Sequence, residues 1–264
     1  MTPDPPPPIS LYKQLDQTRL SWHSPFTFHC HAGLSCFNRC CRTPTIILSP
    51  YDILRLKQAL EITSGEFLPR YTLRQSEPAS GLPLVFLDAF RSAESACPFL
   101  GPQGCTVYPH RPAACRLFPI TMGSQLTEDG VVDYYFCRRL DYCRGFDTEV
   151  EWTVADWMRN QGFAEYDQER RAWIEILLQA GLAAPRPLDP QIQELLATIA
   201  YDLDQCRRLL LAPAILAAYD LAGPALELLQ RDDLALLRFS YRVLRSLLFE
   251  EGAGWVDAVL QRPW

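Results

Sequence analysis

Apolar residues recur along the second half of the chain at spacings of three and four, whereas the first half shows only short runs. Ile192, Leu196, Ile199, Leu203, Cys206 and Leu210 step by four, three, four, three and four, the repeat that turns one face of an α-helix toward a core. Asp189 as cap and Pro190 as first residue set the start of a helix that the stripe carries to about 211, after the chain-breaking run from Pro185 to Pro190. Cys206 falls inside that stripe and reads as a core cysteine. Thr153 caps an earlier helix carrying Val154, Trp157 and Met158 that ends at Gly162, and a second follows over about 166–180 with Trp173, Ile176, Leu177 and Ala180 on one side. A last helix, about 232–249, begins at Asp232 and Asp233, where acidic groups favour the positive end of the helix dipole. It presents Leu234, Leu237, Tyr241, Leu244 and Leu248 inward, and Arg238, Arg242 and Arg245 on another face, for solvent, internal ion pairs or an acidic partner.

In the first half, Ser49 and Pro50 open a helix over about 50–60 with Ile53, Leu56 and Leu60 buried, and Thr63 with Glu66 forms a capping box for a short helix after it. The runs Leu82–Asp88, Thr121-Met122 and Val131–Phe136 read as strands, the last two joined by a turn-rich connection from Gly123 to Gly130. The expected fold class is therefore α+β and mostly helical. A Pro-rich flexible tail (1–24) precedes a loop-rich cysteine region (25–150) with short helices and few strands, and a helical C-terminal region (151–264) packs on it as one unit. Five of the 22 prolines lie in the first ten residues, which favours an extended tail.

Charge and composition narrow the function classes. Of 264 residues, 48% are hydrophobic and the formal charge is −6, so the molecule as a whole exerts no pull on nucleic acid or anionic membrane. The longest apolar run, Leu209 to Tyr219, has eleven residues and contains Pro213, far short of a bilayer span. A soluble cytoplasmic protein is expected, and there thiols stay reduced, which favours metal ligation over disulfides.

The thiols change the picture most. Nine of the ten cysteines fall between 30 and 143: Cys30, Cys36, Cys40, Cys41, Cys97, Cys105, Cys115, Cys137 and Cys143. The first four lie in FHCHAGLSCFNRCCR, which lacks helical or strand periodicity and reads as loop. Four thiolates satisfy a tetrahedral zinc ion or a 4Fe-4S cluster. No CxxC pair occurs, which lowers the zinc-ribbon reading, and Cys97-Pro98 resembles the Cys-Pro that closes ferredoxin-type motifs. Nine thiols exceed one tetrahedral site, so either two sites exist or some are not ligands. His29 and His31 flank Cys30, where one could ligate, although the abundance of thiolates favours supporting or exposed positions for both. Arg111 and Arg116 bracket Cys115, either offsetting thiolate charge or making salt bridges. No Ser-His-Asp or Cys-His arrangement has workable spacing, and no catalytic residue is assigned.

A resemblance rests on three stretches: the burst ending Cys40-Cys41-Arg42, then IILSPYDILRL from Ile46, then CPFLGPQGCTVYPHRPAACRLFP from Cys97 to Pro119. With DYCRG at Asp141 and QGF at Gln161, they resemble the cysteine-cluster (CxxCxxCC-type) zinc- or iron-chelating domain family over about 26–163. Residues are inserted on both sides of Cys36, but Cys40, Cys41, Cys97, Cys105, Cys115 and Cys143 match family cysteines. The resemblance implies a metal or iron–sulfur centre with a structural or redox role. Flagellin lysine N-methylase belongs to the same wider group, which implies as an alternative a protein lysine methyltransferase using S-adenosylmethionine and a cluster. No Gly-rich nucleotide loop or CxxxCxxC signature accompanies it. A further alternative is a metal-handling or redox adaptor with the C-terminal helices as a protein-partner surface.

Overall fold

The computed structural model describes residues 18–42, 44–78, 80–89, 95–182 and 188–249. The proline-rich start, Thr43 and Pro185 to Pro187 lie outside these residues. The helices of the first part are α1 (Pro50–Ala59), α2 (Ser64–Tyr71) and α3 (Ala113–Leu117). Those of the second are α4 (Val154–Asn160), α5 (Ala164–Leu182), α6 (Pro190–Tyr201), α7 (Leu203–Leu210), α8 (Pro213–Ala218), α9 (Gly223–Arg231) and α10 (Asp233–Phe249). The strands are β1 (Pro25–Thr27), β2 (Ile47–Leu48), β3 (Thr72–Ser76), β4 (Pro83–Leu87), β5 (Leu100–Gly101), β6 (Gly104–Cys105), β7 (Ile120–Thr127), β8 (Gly130–Cys137) and β9 (Glu151–Thr153). The chain is thus α+β and mostly helical, and all strands among the described residues precede α4.

Capping chemistry starts the first two helices where the sequence places them. The Ser49 hydroxyl accepts from Asp52 N (3.1 Å) while the Asp52 carboxylate accepts from Ser49 N (2.8 Å). Thr63 and Glu66 repeat the reciprocal pair at the head of α2. Each box satisfies amides that a helix start leaves without partners. All strand pairs are antiparallel: β2–β4–β3 form one three-stranded sheet, and β1–β9, β5–β6 and β7–β8 form two-stranded ribbons.

Two sequence expectations are corrected. Gly123 does not open a long connection. β7 runs on through Thr127, paired from Ile120↔Cys137 to Thr127↔Gly130, leaving a tight turn at Glu128 and Asp129. Pairing satisfies amides that a loop would leave to water, and Gly123 permits the close approach, since a Cβ there would lie 2.3 Å from the Tyr134 ring. The helix expected from 190 to 211 is broken at Asp202, which ends α6 and caps α7. Its carboxylate accepts from Gln205 N (3.1 Å) and from the buried Ser64 hydroxyl (2.6 Å), so a contact from α2 competes with the continuous helix. The apolar stripe still carries across the break, and Cys206 is fully buried.

One buried cluster joins both parts, from Phe26 and Phe28 through Trp157 and Trp173 to Leu244. α10 lies inside it, against α1, α5, α6, α7 and α9, which is why Leu236, Phe239 and Val243 are buried beside Leu237, Tyr241 and Leu244. Its arginine face is used within the chain. Arg238 pairs with Glu169, Arg245 binds both oxygens of Glu175 at 3.0 Å, and Arg242 lies over the Tyr219 ring. Buried Lys57 of α1 reaches Asp204 (3.2 Å) and Asp233 (2.9 Å), tying the first part to α7 and α10. Residues 20–24 are fastened to the second part and to β8. Leu20 N donates to Tyr135 O (2.7 Å), and Trp22 O and Ser24 O accept from the first amides of α4. No helix among the described residues is long and apolar enough to cross a membrane.

Candidate metal centre

The cysteine burst hangs from Phe28. Its ring, 1% exposed, packs edge-on against Phe118 and Trp157 and tilted against Phe146. Its amide donates to Val150 O (3.0 Å) and its carbonyl accepts from Trp152 Nε1 (2.9 Å). Gly145 of the DYCRG stretch makes room, for a Cβ there would stand 2.5 Å from the Phe28 ring. His29 N then donates to Gly145 O (2.7 Å), so the burst and the turn after Cys143 begin side by side.

From His31 the backbone descends through four-residue turns, with Leu34 N to His31 O, Phe37 N to Leu34 O and Arg39 N to Cys36 O, into a 3₁₀ turn at Arg39–Cys41. Asn38, at φ 64°, supplies the left-handed residue that this path needs. The end of the burst meets the second segment: Arg42 bridges Ala96, and Cys97 N donates to Cys41 O (2.8 Å). The ribbon β5–β6 then places Leu100 opposite Cys105. Asp52 anchors the third stretch, because its second oxygen accepts from Ala113 N (2.7 Å) at the head of α3, which carries Cys115.

Cys30, Cys40, Cys41, Cys97, Cys105 and Cys115 all line one cleft of about 1780 Å³, whose lining also includes Ile174 and Leu177 of α5. Cys36 is buried and accepts from Arg144 N at 3.1 Å, which brings it beside Cys143. Cys137 is buried at the end of β8, opposite Ile120. All ten cysteines are free thiols.

Burial and mutual repulsion push the clustered thiols up. Cys30 rises to about 11, first through burial and then through Cys40, Cys143 and Cys36. Cys97 also rises to about 11, by burial and then by Cys105 and Cys40. Cys115 rises by burial and by Cys97, Asp52, Cys105 and Cys40, and Cys143 by burial, Cys36 and Cys40. Cys40 is raised chiefly by its hydrogen bond with Cys41. A bound cation would reverse the sign of each repulsion, and thiolates suit zinc and iron. The donor chemistry therefore fits such a centre. Among the described residues no three Cys, His, Asp or Glu side chains already stand in an arrangement that holds an ion, so ligation would require thiols to turn about their side-chain bonds.

The two arginines around Cys115 divide their work. Arg111 lies beside Cys105, whose rise it opposes. Its guanidinium covers the Tyr108 ring and donates to Gln161 Oε1 (2.6 Å). Arg116, 8% exposed, donates to the carbonyls of Arg111 (3.1 Å), Gln161 (2.8 Å) and Pro109 and to Tyr166 Oη (3.2 Å). It is a buried pin, neither a surface salt bridge nor a partner for thiolate charge. His31 Nδ1 accepts from Gly33 N (3.2 Å) and is used locally. Reading motifs alone missed Asp52 as the clamp on α3 and Phe28 as the anchor of the burst. Asp52 was visible only as the third residue of a helix that begins Ser-Pro.

Residues 29–145 match the family model CxxCxxCC, described as "Putative zinc- or iron-chelating domain". No curated protein and no solved structure matches the chain. The match thus covers the segment that carries all nine clustered cysteines, and what it is similar to is a domain described as zinc- or iron-chelating.

Proposed function

We propose that this domain holds a thiolate-bound zinc or iron centre that clamps the segments 30–41, 97–115 and 143 to one another. The observation that carries it is the meeting of thiols from three distant segments around one cleft, close enough to raise one another's pKa. The segments themselves contribute little regular structure: turns, a two-residue ribbon and a five-residue helix. Free thiols gathered in this way repel when ionised, and an ion that accepts their charge replaces that repulsion with bonds. Between the two metals, the lack of any CxxC turn and the Cys97-Pro98 pair favour an iron–sulfur centre, because thiolates around a cluster each reach a different iron.

The test is elemental analysis with absorption spectroscopy on protein purified without oxygen. Iron and sulfide in near-equal amounts with a visible band that bleaches on reduction is the expected result. Zinc in a colourless protein would retain chelation and exclude the cluster. Neither metal bound, even after reconstitution, would overturn the proposal.

A further inference from the structure

We infer that the arginine face around the Cys143 turn is a docking surface for an acidic patch of another protein. The inference goes beyond chelation and holds whether or not the thiols carry metal. Charge is unevenly placed along the chain. Residues 28–42 and 137–146 carry Arg39, Arg42, Arg138, Arg139 and Arg144 but a single acid, Asp141, in a chain whose 31 acidic residues outnumber its 25 basic ones. The fold gathers three of these heads on one turn, residues 142–146. The Arg39 guanidinium lies 4.6 Å from the centre of the Tyr142 ring, that of Arg139 lies 4.6 Å from the Phe146 ring, and Arg144 falls between the two rings in sequence. The turn itself is anchored, since Phe146 packs on buried Phe28 and Arg144 N donates to Cys36 Sγ (3.1 Å).

Arg39, Arg139 and Arg144 are all exposed. Among the described residues Arg39 and Arg139 have no carboxylate partner, and Arg144 reaches Asp147 at 3.4 Å between side chains that are each 61% exposed. A pair so open adds little stability and yields readily to a better partner. Stacking on a ring restrains a guanidinium before anything binds, which lowers the entropy cost of binding, and its planar fork matches a carboxylate. α10 offers no such face, because Arg238 and Arg245 are bound to Glu169 and Glu175. The occupant is a compact acidic patch of a protein, not a nucleic acid. A long polyanion carries its charge past the arginines, over a chain of formal charge −6 and onto the exposed Asp141, Asp147 and Glu149, whereas a protein patch meets the arginines alone. Cys40 is exposed, follows Arg39 directly and lines the thiol cleft with Tyr142, so a partner seated here sits at the edge of that cleft.

The probe is a fluorescein-labelled poly-L-glutamate peptide, titrated with the full chain and followed by fluorescence anisotropy. Its affinity should fall roughly tenfold as ionic strength rises from about 0.05 M to about 0.2 M. Arg39→Glu combined with Arg139→Glu should weaken binding by roughly tenfold or more, and Arg208→Glu, at an exposed position of α7, by less than about twofold. Because charge reversal could disturb the turn, Arg39→Gln combined with Arg139→Gln is measured beside it and should weaken binding in the same direction. Hydrogen exchange of the unaltered chain should slow in 36–42 and 139–146 when the peptide is added. No binding of poly-L-glutamate, full binding by the glutamine double variant, or an equal loss in Arg208→Glu would overturn the surface. A single-stranded RNA of the same length that binds more tightly through the same arginines would overturn the protein occupant. Each of these results is independent of metal content, so failure here leaves chelation to its own test.

Discussion

Arg116→Ala should lower the melting temperature of the protein by roughly 6–12 °C, the shift that a loss of about 3 kcal/mol produces in a chain of this size. Arg116 is buried and serves three backbone carbonyls, those of Pro109, Arg111 and Gln161, together with Tyr166 Oη. Its guanidinium also stacks 4.3 Å from the centre of the Tyr166 ring. Alanine takes the donor from three part-buried carbonyls, a loss of about 1 kcal/mol each. Lysine keeps the charge but brings one nitrogen in place of a planar fork, so Arg116→Lys should recover less than half of the loss. Arg111→Lys provides the contrast, because Arg111 serves one carbonyl and one side chain and lies against the exposed Tyr108 ring. Thermal unfolding followed by circular dichroism decides the matter. Equal shifts for Arg111→Lys and Arg116→Lys would show that the buried fork does not pin the loop.

That contrast marks where sequence reading stops. Arg111 and Arg116 bracket Cys115 alike in the sequence, and only the path of the loop past α4 sends one toward the thiols and the other inward. Helix starts were legible because their causes are local: Ser49 with Asp52, Thr63 with Glu66, Thr153 and Asp189 act within three residues of themselves. The break at Asp202 was not, because the group competing for its carboxylate, Ser64, lies 138 residues away. The helices α8 and α9 each carry proline near their start, yet the short apolar stretches around Pro213 and Pro224 have too few repeats to show a period. For the candidate site, the sequence shows which residue types gather and the family resemblance shows which of them recur. Which thiols meet depends on single long-range backbone contacts, Arg144 to Cys36 and Cys97 to Cys41, and no local pattern encodes those.

Removing the metal should unfold one part of the molecule and spare the rest. By analogy with small zinc domains, a structural thiolate centre contributes an apparent 10–16 kcal/mol, roughly the whole stability of an ordinary domain. In the chelated protein, hydrogen exchange should rise in 28–42 and 95–117, whose backbone is mostly turns. α6, α7 and α10 should stay protected, since their buried faces pack on one another and on α1 and α2. Acidity should act in the same direction. At neutral pH the metal-free thiols hold their protons, Cys30 and Cys97 being pushed up to about 11. Binding must therefore release those protons, and affinity should fall about tenfold per pH unit for each proton released. The loaded protein should thus weaken toward acid. Thiols that merely fill a core would show no such acid limb, and hydrogen exchange unchanged by chelation would refute the clamp.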